Sequence, residues 1–231
     1  MRPLTLALLL ALAGCASETP VPDDTPLRFL ALGDSYTIGE GVAAHERWPV
    51  QLAEALRQSG AEITDPEIVA RTGWTTRELN SGIDAADPRG PYALVTLLIG
   101  VNNQYRGLPV EDYRREVRGL MERAIAFAGG EPGRVVVVSF PDWGVTPFAE
   151  GRDRAQIARE VDAFNAIAMS EARSLGLAWV DVTPLSRTQG EMVVEDKLHP
   201  AGEAYAAWTD LILPAARAAL TESPGLGTTA D

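Results

Sequence analysis

The sequence predicts a single α/β domain in which a parallel β-sheet is covered by helices on both faces. Short apolar runs of strand length alternate along the chain with amphipathic segments of helix length. Two of these runs, 92–99 and 134–139, are dominated by consecutive apolar residues, as in strands buried on both faces. Because we find no internal repeat and no linker between them, one domain is expected over residues 27–221.

The first part of this domain alternates two strands and two helices. An apolar run over 27–32 predicts a buried strand, and helical spacing of apolar residues over 47–59 predicts the first helix. A weaker strand is predicted over 67–71. The next helix begins at Thr75, whose spacing to Glu78 is that of a capping box, in which each side chain satisfies a free backbone N–H of the helix start.

The second part continues the same alternation. Strands are predicted over 92–99, 134–139 and 177–182, and helices over 110–128, 152–175 and 200–220. Glycines directly follow the first two of these helices and end them, because glycine readily adopts the left-handed conformation of a helix C-terminus. Pro214 lies within the last helix and predicts a kink there.

The composition is that of a globular protein, with 46% hydrophobic and 23% charged residues among 231. The 20 Lys and Arg residues against 32 Asp and Glu give a net charge of −12, which repels polyanions, so no nucleic-acid partner is expected. A single cysteine excludes a disulfide within the chain and a multi-cysteine metal site. Imidazole chemistry is limited to two histidines, His45 and His199.

The first residues have the pattern of a secretory signal peptide, predicted over residues 1–14. Arg2 precedes an apolar run over 4–12 that is too short to span a bilayer. The run ends in Leu-Ala-Gly-Cys, which resembles the bacterial lipobox and implies cleavage before Cys15 and attachment of a diacylglycerol to its sulfur. The alternative is an ordinary signal peptide with an incidental cysteine.

The segments that flank the domain are predicted to be extended. Residues 15–26 combine the lipidated Cys15 with an acidic, proline-rich linker, and residues 222–231 form a flexible tail. Ala16 follows the cysteine in place of the Asp that resembles an inner-membrane retention signal. We therefore expect a lipid-anchored protein of the bacterial cell envelope, held on the outer membrane and facing the periplasm.

The segments that follow the strands deserve inspection, because ligands of parallel α/β sheets bind beyond the carboxyl ends of the strands. After the first strand, Ser35 lies in a tight Gly-Asp-Ser turn, where a nucleophile would be exposed beside backbone N–H groups. An ordinary turn is one alternative. A phosphate-binding loop is another, although the segment matches neither the P-loop nor the G-x-G-x-x-G pattern.

Three further residues in such segments have a possible chemical role. Gly73 could bring a backbone N–H close to a reacting oxygen, and the Asn102 amide could donate to a developing oxyanion. Asp196 and His199, three residues apart, can meet within one turn, so that the carboxylate orients the imidazole. Each of these residues is also common in plain turns and loops. His45 has no such acidic partner before it.

Taken together, these segments resemble those of the SGNH hydrolases, the GDSL esterase and lipase family. The resemblance spans the domain: GDSxxxG at 33–39, Gly73, GxN at 100–102 and DxxH at 196–199, in the order of that family. It implies a flavodoxin-like sheet of five parallel strands within a three-layer domain, with Ser35 as the nucleophile and His199 as the base oriented by Asp196. It also implies an oxyanion hole formed by the Ser35 and Gly73 backbone N–H groups and the Asn102 side chain, and it implies no metal and no cofactor.

Two positions depart from the family pattern. Tyr36 stands where the name-giving Leu would be, and Asn103 stands where the common GxND motif has Asp. The second departure changes the charge beside the oxyanion hole. Asp34, next to Ser35, is expected to support the turn and not to bind a metal.

A substrate groove is predicted from aromatic residues in the same post-strand segments. Trp143 and Phe148 follow the fourth strand and Tyr105 follows the third, so all three are expected near Ser35. The alternative is that Trp143 and Phe148 only cover the end of the sheet.

The expected function is hydrolysis of a small or lipid-like carboxylic ester through a Ser35 acyl-enzyme, with the membrane contacted through a lipid anchor. A carbohydrate O-acetylesterase is an alternative within the same chemistry. A non-catalytic envelope-binding lipoprotein that retains the fold is an alternative from another class. The oligomeric state is not indicated by the sequence.

Overall fold

We describe residues 26–221 of a computed structural model of the chain. The predicted signal peptide, Cys15, most of the linker and the tail over 222–231 lie outside the described residues. Within 26–221, no helix is both long enough and apolar enough to cross a membrane.

The domain is built on one sheet of five parallel strands in the order β2-β1-β3-β4-β5. The strands are β1 (Phe29–Gly33), β2 (Glu67–Ala70), β3 (Leu94–Leu98), β4 (Val135–Val138) and β5 (Ala178–Val180). This is the strand order of flavodoxin-like folds, which confirms the predicted fold class. Every strand lies within its predicted range or within one residue of it, and most are shorter than predicted.

Within residues 26–221, eight α-helices connect and cover the strands. They are α1 (Ser35–Ile38), α2 (Trp48–Gln58), α3 (Thr76–Ala86), α4 (Val101–Tyr105), α5 (Val110–Phe127), α6 (Arg154–Ser174), α7 (Thr183–Ser186) and α8 (Gly202–Thr221). Helix α2 packs against α8, and α5 packs between α3 and α6. The capping box of Thr75 and Glu78 is present, while α8 continues through Pro214 without ending there.

The core follows from the two-sided apolar strands. All five residues of β1 and all five of β3 are buried, as are all four of β4. Because β1 and β3 are neighbours although β2 lies between them in the chain, the strand order reverses at this pair. A crevice forms at the carboxyl ends of the strands at such a point. The short helices α1 and α4, which sequence periodicity does not detect, begin directly beyond β1 and β3.

Candidate active site

A cleft of about 170 Å³ opens at the carboxyl ends of the strands. It brings together the residues that the sequence analysis singled out from four separate post-strand segments. Its lining comprises Ser35, Tyr36, Thr72, Gly73, Val101, Asn102, Tyr105, Trp143, Phe148, Leu198 and His199. His45, in contrast, lines a different depression between α2 and α8.

Ser35 is the first residue of α1 and is held there by the turn that precedes it. The Asp34 side chain caps the helix by accepting a hydrogen bond from the Tyr36 backbone N–H at 3.0 Å. A Cβ at Gly33 would lie 2.1 Å from the Thr37 hydroxyl and 2.6 Å from the Leu98 carbonyl oxygen, so only glycine fits here. The Ser35 hydroxyl makes no hydrogen bond to any described residue, which leaves it free for an incoming group.

Asp34 is a fully buried carboxyl group next to this serine. One of its oxygens accepts the capping bond, and the other has no hydrogen-bond partner within residues 26–221. Burial raises the pKa of Asp34 to about 7, and the hydrogen bond from the Tyr36 N–H only partly offsets it. Asp34 supports the turn, as expected.

Asp196 and His199 form a side-chain pair within one tight loop. The His199 Nδ1 lies 2.5 Å from the Asp196 Oδ2, while the Asp196 Oδ1 accepts the backbone N–H groups of Leu198 and His199 at 2.9 Å each. Burial opposes ionisation of Asp196, but the bonds from His199 and Leu198 outweigh it and hold the pKa of Asp196 below its ordinary value. Because Nδ1 donates to this carboxylate, Nε2 is the nitrogen left free to accept a proton.

Tyr36 explains one departure from the family pattern. Its ring is buried and packs against the His199 ring, with centroids 5.4 Å apart and planes tilted by 57°. On its other side it packs against Trp208 of α8, at 6.1 Å between centroids. The imidazole is therefore fixed by Asp196 through a hydrogen bond and by Tyr36 through ring packing.

The loop that carries Gly73 is held by two side chains, one from α4 and one from the residue directly after it. Asn102 donates one amide hydrogen to the Trp74 carbonyl oxygen at 3.0 Å, which orients the amide beside the cleft and leaves its second hydrogen available. Arg106 donates to the Gly73 carbonyl oxygen and forms an ion pair with Glu78 at 3.2 Å. Gly73 itself has φ of +85°, a left-handed conformation that favours glycine.

Asn103, the second departure, is buried and joins α4 to the start of α3. Its side-chain oxygen Oδ1 accepts a hydrogen bond from the Thr76 backbone N–H at 3.0 Å, and its side-chain NH₂ donates to the Thr76 hydroxyl at 2.7 Å. That hydroxyl in turn donates to Glu116 of α5. An amide suits this position because it donates and accepts at once, whereas an ionised Asp can only accept.

The three predicted groove residues form one aromatic cluster. Ring centroids are 5.3 Å apart for Tyr105 and Trp143, 6.0 Å for Trp143 and Phe148, and 6.3 Å for Tyr105 and Phe148. Trp143 is only 4% exposed yet lines the cleft, so the two interpretations of this residue are not exclusive. Its indole N–H donates to Gln104 at 2.8 Å, and Gln104 donates to Glu160 of α6.

Sequence reasoning missed the residues that position this site. Arg152 lies within 5.3 Å of the centroids of all three clustered rings, and Gln104 and Arg106 flank the predicted Tyr105. No local pattern identifies these side chains, because each of them has at least one partner that is distant in sequence. For Tyr36 a signal existed, since it occupies the position directly after Ser35. Among the described residues 26–221, no group of three or more His, Cys, Asp or Glu side chains could hold a metal ion.

Solved structures with this fold are numerous, and several are esterases by name. A crystal structure of TesA superposes with a TM-score of 0.65 at 20% identity, over 84% of this chain and 99% of that chain. The psychrotrophic esterase EstA from Pseudoalteromonas sp. gives 0.62 at 16% identity, over 84% and 98%. Axe2, an acetylxylan esterase from Geobacillus stearothermophilus, gives 0.57 at 17% identity, over 84% and 94%.

Comparison at the sequence level is more selective. No curated protein matches the chain. The model of the GDSL-like lipase/acylhydrolase family, however, matches residues 31–207, which include every segment of the cleft described above. The chain therefore belongs to the GDSL-like lipase/acylhydrolase family, whose members act on esters.

Proposed function

We propose that the protein is a serine carboxylic ester hydrolase that works through an acyl-enzyme on Ser35. The observation that carries this proposal is that a free serine hydroxyl, a carboxylate-paired imidazole and an oriented amide line one cleft. The substrate is a small or lipid-like carboxylic ester.

The first step is acylation. The Ser35 Oγ attacks the ester carbonyl carbon while the His199 Nε2 takes the hydroxyl proton, and the carbonyl oxygen becomes an oxyanion. The backbone N–H groups of Ser35 and Gly73 and the amide of Asn102 are the donors for that oxyanion. When the tetrahedral intermediate collapses, the bond to the alcohol oxygen breaks and His199 gives its proton to the leaving alcohol.

The second step is deacylation. A water molecule loses a proton to His199 and attacks the acyl carbonyl, and the bond to Ser35 then breaks as the proton returns to the serine oxygen. Asp196 stabilises the positive charge that the imidazole carries in both steps. Its lowered pKa favours the ionised carboxylate that this role requires.

A fluorophosphonate probe tests the proposal directly, because it reacts with a serine only when that serine is activated. The structure of the Pseudoalteromonas esterase is of an enzyme inhibited by monoethylphosphonate. We expect the probe to label Ser35 of the wild-type protein. We expect Ser35→Ala and His199→Ala each to lower kcat by several orders of magnitude, with little further loss in the double variant, because the two residues act as one unit.

Two results would contradict the proposal. One is near-wild-type turnover in either single variant. The other is a protein that hydrolyses no ester and is not labelled, which would favour the non-catalytic envelope-binding lipoprotein.

Carbohydrate O-acetylesterase activity is a second candidate within the same chemistry. The exposed ring of Tyr105, 46% exposed at the cleft, offers an aromatic surface on which a sugar ring could stack. One structural neighbour is an acetylxylan esterase by name. Release of acetate from acetylated xylan, compared with release from a simple acetate ester, distinguishes a sugar ester from other esters.

We also propose that the chain is attached to the bacterial outer membrane through a lipid on Cys15 and faces the periplasm. The support is the sequence pattern over 1–15 alone, since these residues lie outside the described part of the chain. Two or more acyl chains would hold the protein on the membrane stably.

A further inference from the structure

A second, smaller cavity lies behind the cleft. It has a volume of about 20 Å³, enough for one water molecule or a methyl group. Its far side is formed by residues of the segment over 186–193 and of α8, among them Met192, Ala204 and Trp208. We call this space the inner chamber.

Three residues line both the cleft and the inner chamber, namely Tyr36, Trp143 and Leu198. Because they contact both spaces, they form the wall between them, which we call the partition. Tyr36 is 2% exposed and Trp143 is 4% exposed, whereas Leu198 is half-buried. Trp143 is also held in place by the bond from its indole N–H to Gln104.

The inner chamber offers a mainly apolar surface. Three of the polar side chains that line it are engaged with protein partners. Thr146 donates to the Trp143 carbonyl, Ser186 donates to the Thr183 carbonyl, and Asp142 pairs with Arg187 at 2.9 Å. A hydrocarbon chain entering the chamber would therefore meet no unpaired donor from these groups.

The group that fits against a closed wall is the acyl part of the ester. In the proposed mechanism the alcohol departs and water replaces it, so the alcohol needs an open path to solvent. The acyl group stays bonded to Ser35 until hydrolysis and can occupy a dead end. At about 30 Å³ for each non-hydrogen atom, the 170 Å³ cleft has room for about six such atoms, three of which belong to the ester linkage itself.

We propose, on the basis of the function proposed above, that the partition limits the enzyme to esters of short acyl chains, from acetyl to about butyryl. Trp143 is the residue that sets this limit. Once the partition is opened, a longer acyl chain extends into the inner chamber together with the volume freed by the smaller side chain.

The test is the ratio of kcat/KM for an octanoyl ester to that for an acetyl ester of the same alcohol. We expect this ratio to be about 0.1 or lower in the wild-type enzyme. Trp143→Phe shortens the indole and should raise the ratio at least tenfold. Leu198→Ala opens the same wall from the other side and should act in the same direction, which keeps the test valid if Trp143→Phe fails to fold.

Met192→Ala is the matched control, because Met192 lines the inner chamber but not the partition. Alone it enlarges a space that the partition separates from the cleft, and it should leave the ratio within about twofold of wild type. Combined with Trp143→Phe, it should raise the ratio above that of Trp143→Phe alone, since the enlarged chamber has then become accessible.

Three results would overturn the proposal. The first is a wild-type enzyme that hydrolyses the octanoyl ester as fast as the acetyl ester. The second is an unchanged ratio in both folded partition variants. The third is a change in the ratio with Met192→Ala alone that equals the change with Trp143→Phe. In each case the enzyme is still active and Ser35 is still labelled by a fluorophosphonate. Failure of the partition is thus distinct from failure of the proposed function, in which no ester is hydrolysed at all.

Discussion

At the scale of single residues, the amide of Asn102 has two hydrogens with two different uses. One is donated to the Trp74 carbonyl oxygen at 3.0 Å, and the other is available to an oxyanion in the cleft. The first bond costs no catalytic function and fixes the amide before substrate arrives. Such preorganised donors are effective because they need no reorientation in the transition state.

Replacing Asn102 with Ala removes the oxyanion donor and its orienting bond together. We expect kcat to fall by about 10²–10³ with little change in KM, the usual cost of one oxyanion donor. Steady-state kinetics on a short-chain ester measures both constants. A change confined to KM would mean that Asn102 binds the ground-state substrate, and the assignment to the oxyanion hole would be wrong.

Asp34 makes the stability of the fold depend on pH. In the unfolded chain this carboxyl ionises near its ordinary value of 3.8, whereas in the fold burial raises its pKa to about 7. Between these values the folded state binds one more proton than the unfolded state, so this group's contribution to stability is lost as the pH rises from about 4 to 7. Asp196, whose pKa is lowered in the fold, acts in the opposite sense. Its contribution to stability is present at neutral pH and is lost as the pH falls through its folded-state pKa.

Asp34→Asn should remove the first of these effects. The amide oxygen can still cap α1 at the Tyr36 N–H, but the side chain no longer titrates. We expect the free energy of unfolding of the variant, relative to wild type, to increase between about pH 4 and pH 7 by up to about 1.4 kcal/mol per pH unit and to level off at higher pH. Urea unfolding of both proteins across this range is the measurement, and parallel pH profiles would contradict it.

At the scale of secondary-structure elements, Asn103 links three helices through one hydroxyl group. Its amide donates to Thr76 at the start of α3, and the Thr76 hydroxyl donates to Glu116 of α5. Asn103 itself lies in α4, directly after Asn102. The position of Asn102, the proposed oxyanion donor, therefore depends on a buried chain of hydrogen bonds in which residue 103 both donates and accepts.

Asn103→Asp removes the donor of the hydrogen bond from residue 103 to the Thr76 hydroxyl. A carboxylate would place a buried oxygen against the Thr76 hydroxyl oxygen and add a second negative charge near Glu116, without a compensating donor. We expect a loss of about 1–3 kcal/mol in the free energy of unfolding, larger at pH 8 than at pH 5 because protonation restores a neutral side chain.

The control for this change is Asn80→Asp, which adds the same charge at an exposed position of α3 beside Arg123. Its effect should stay within about 0.5 kcal/mol, as for other surface substitutions. Equal losses in the two variants would show that charge alone, and not the buried amide, is responsible.

The elements themselves were largely predictable, and the reasons are local. Two-sided apolar runs identify β3 and β4 because a parallel sheet buries both faces, and the pair of Thr75 and Glu78 identifies the start of α3. The one-turn helices α1 and α4 were not predicted, since four or five residues are too few for helical periodicity. They form because the turns after β1 and β3 and the tertiary contacts described above hold them.

The site divides in the same way. That Ser35, Gly73, Asn102 and His199 line one cleft could be predicted, because three of them follow strands of a parallel sheet and the order of all four resembles that of the family. The contacts of Arg152 with three aromatic rings could not, since they join segments that follow β3 and β4. Nor could the partition, which exists only where Tyr36, Trp143 and Leu198 meet in space.

At the scale of the whole molecule, the cleft lies at the carboxyl ends of the strands and the start of the domain lies at their amino ends. Strand β1 begins at Phe29, and Ser35 follows its carboxyl end at Gly33. The described part of the chain therefore enters the domain at the amino ends of the strands, away from the cleft. The proposed lipid on Cys15 precedes this end of the domain in the sequence, so we expect it to leave the cleft open to soluble esters.

Cys15→Ser should separate attachment from activity. The serine oxygen cannot replace the thiol that receives the diacylglycerol, so the variant should carry no fatty-acid label and should occur as uncleaved precursor or as a soluble periplasmic form. Because the cleft lies at the carboxyl ends of the strands, away from the start of the domain, kcat/KM for a soluble short-chain ester should stay within about twofold of wild type. Metabolic labelling with a radioactive fatty acid, followed by fractionation, measures attachment. Equal label in the two proteins would rule out the lipobox, whereas loss of activity along with the label would mean that the anchor contributes to the site.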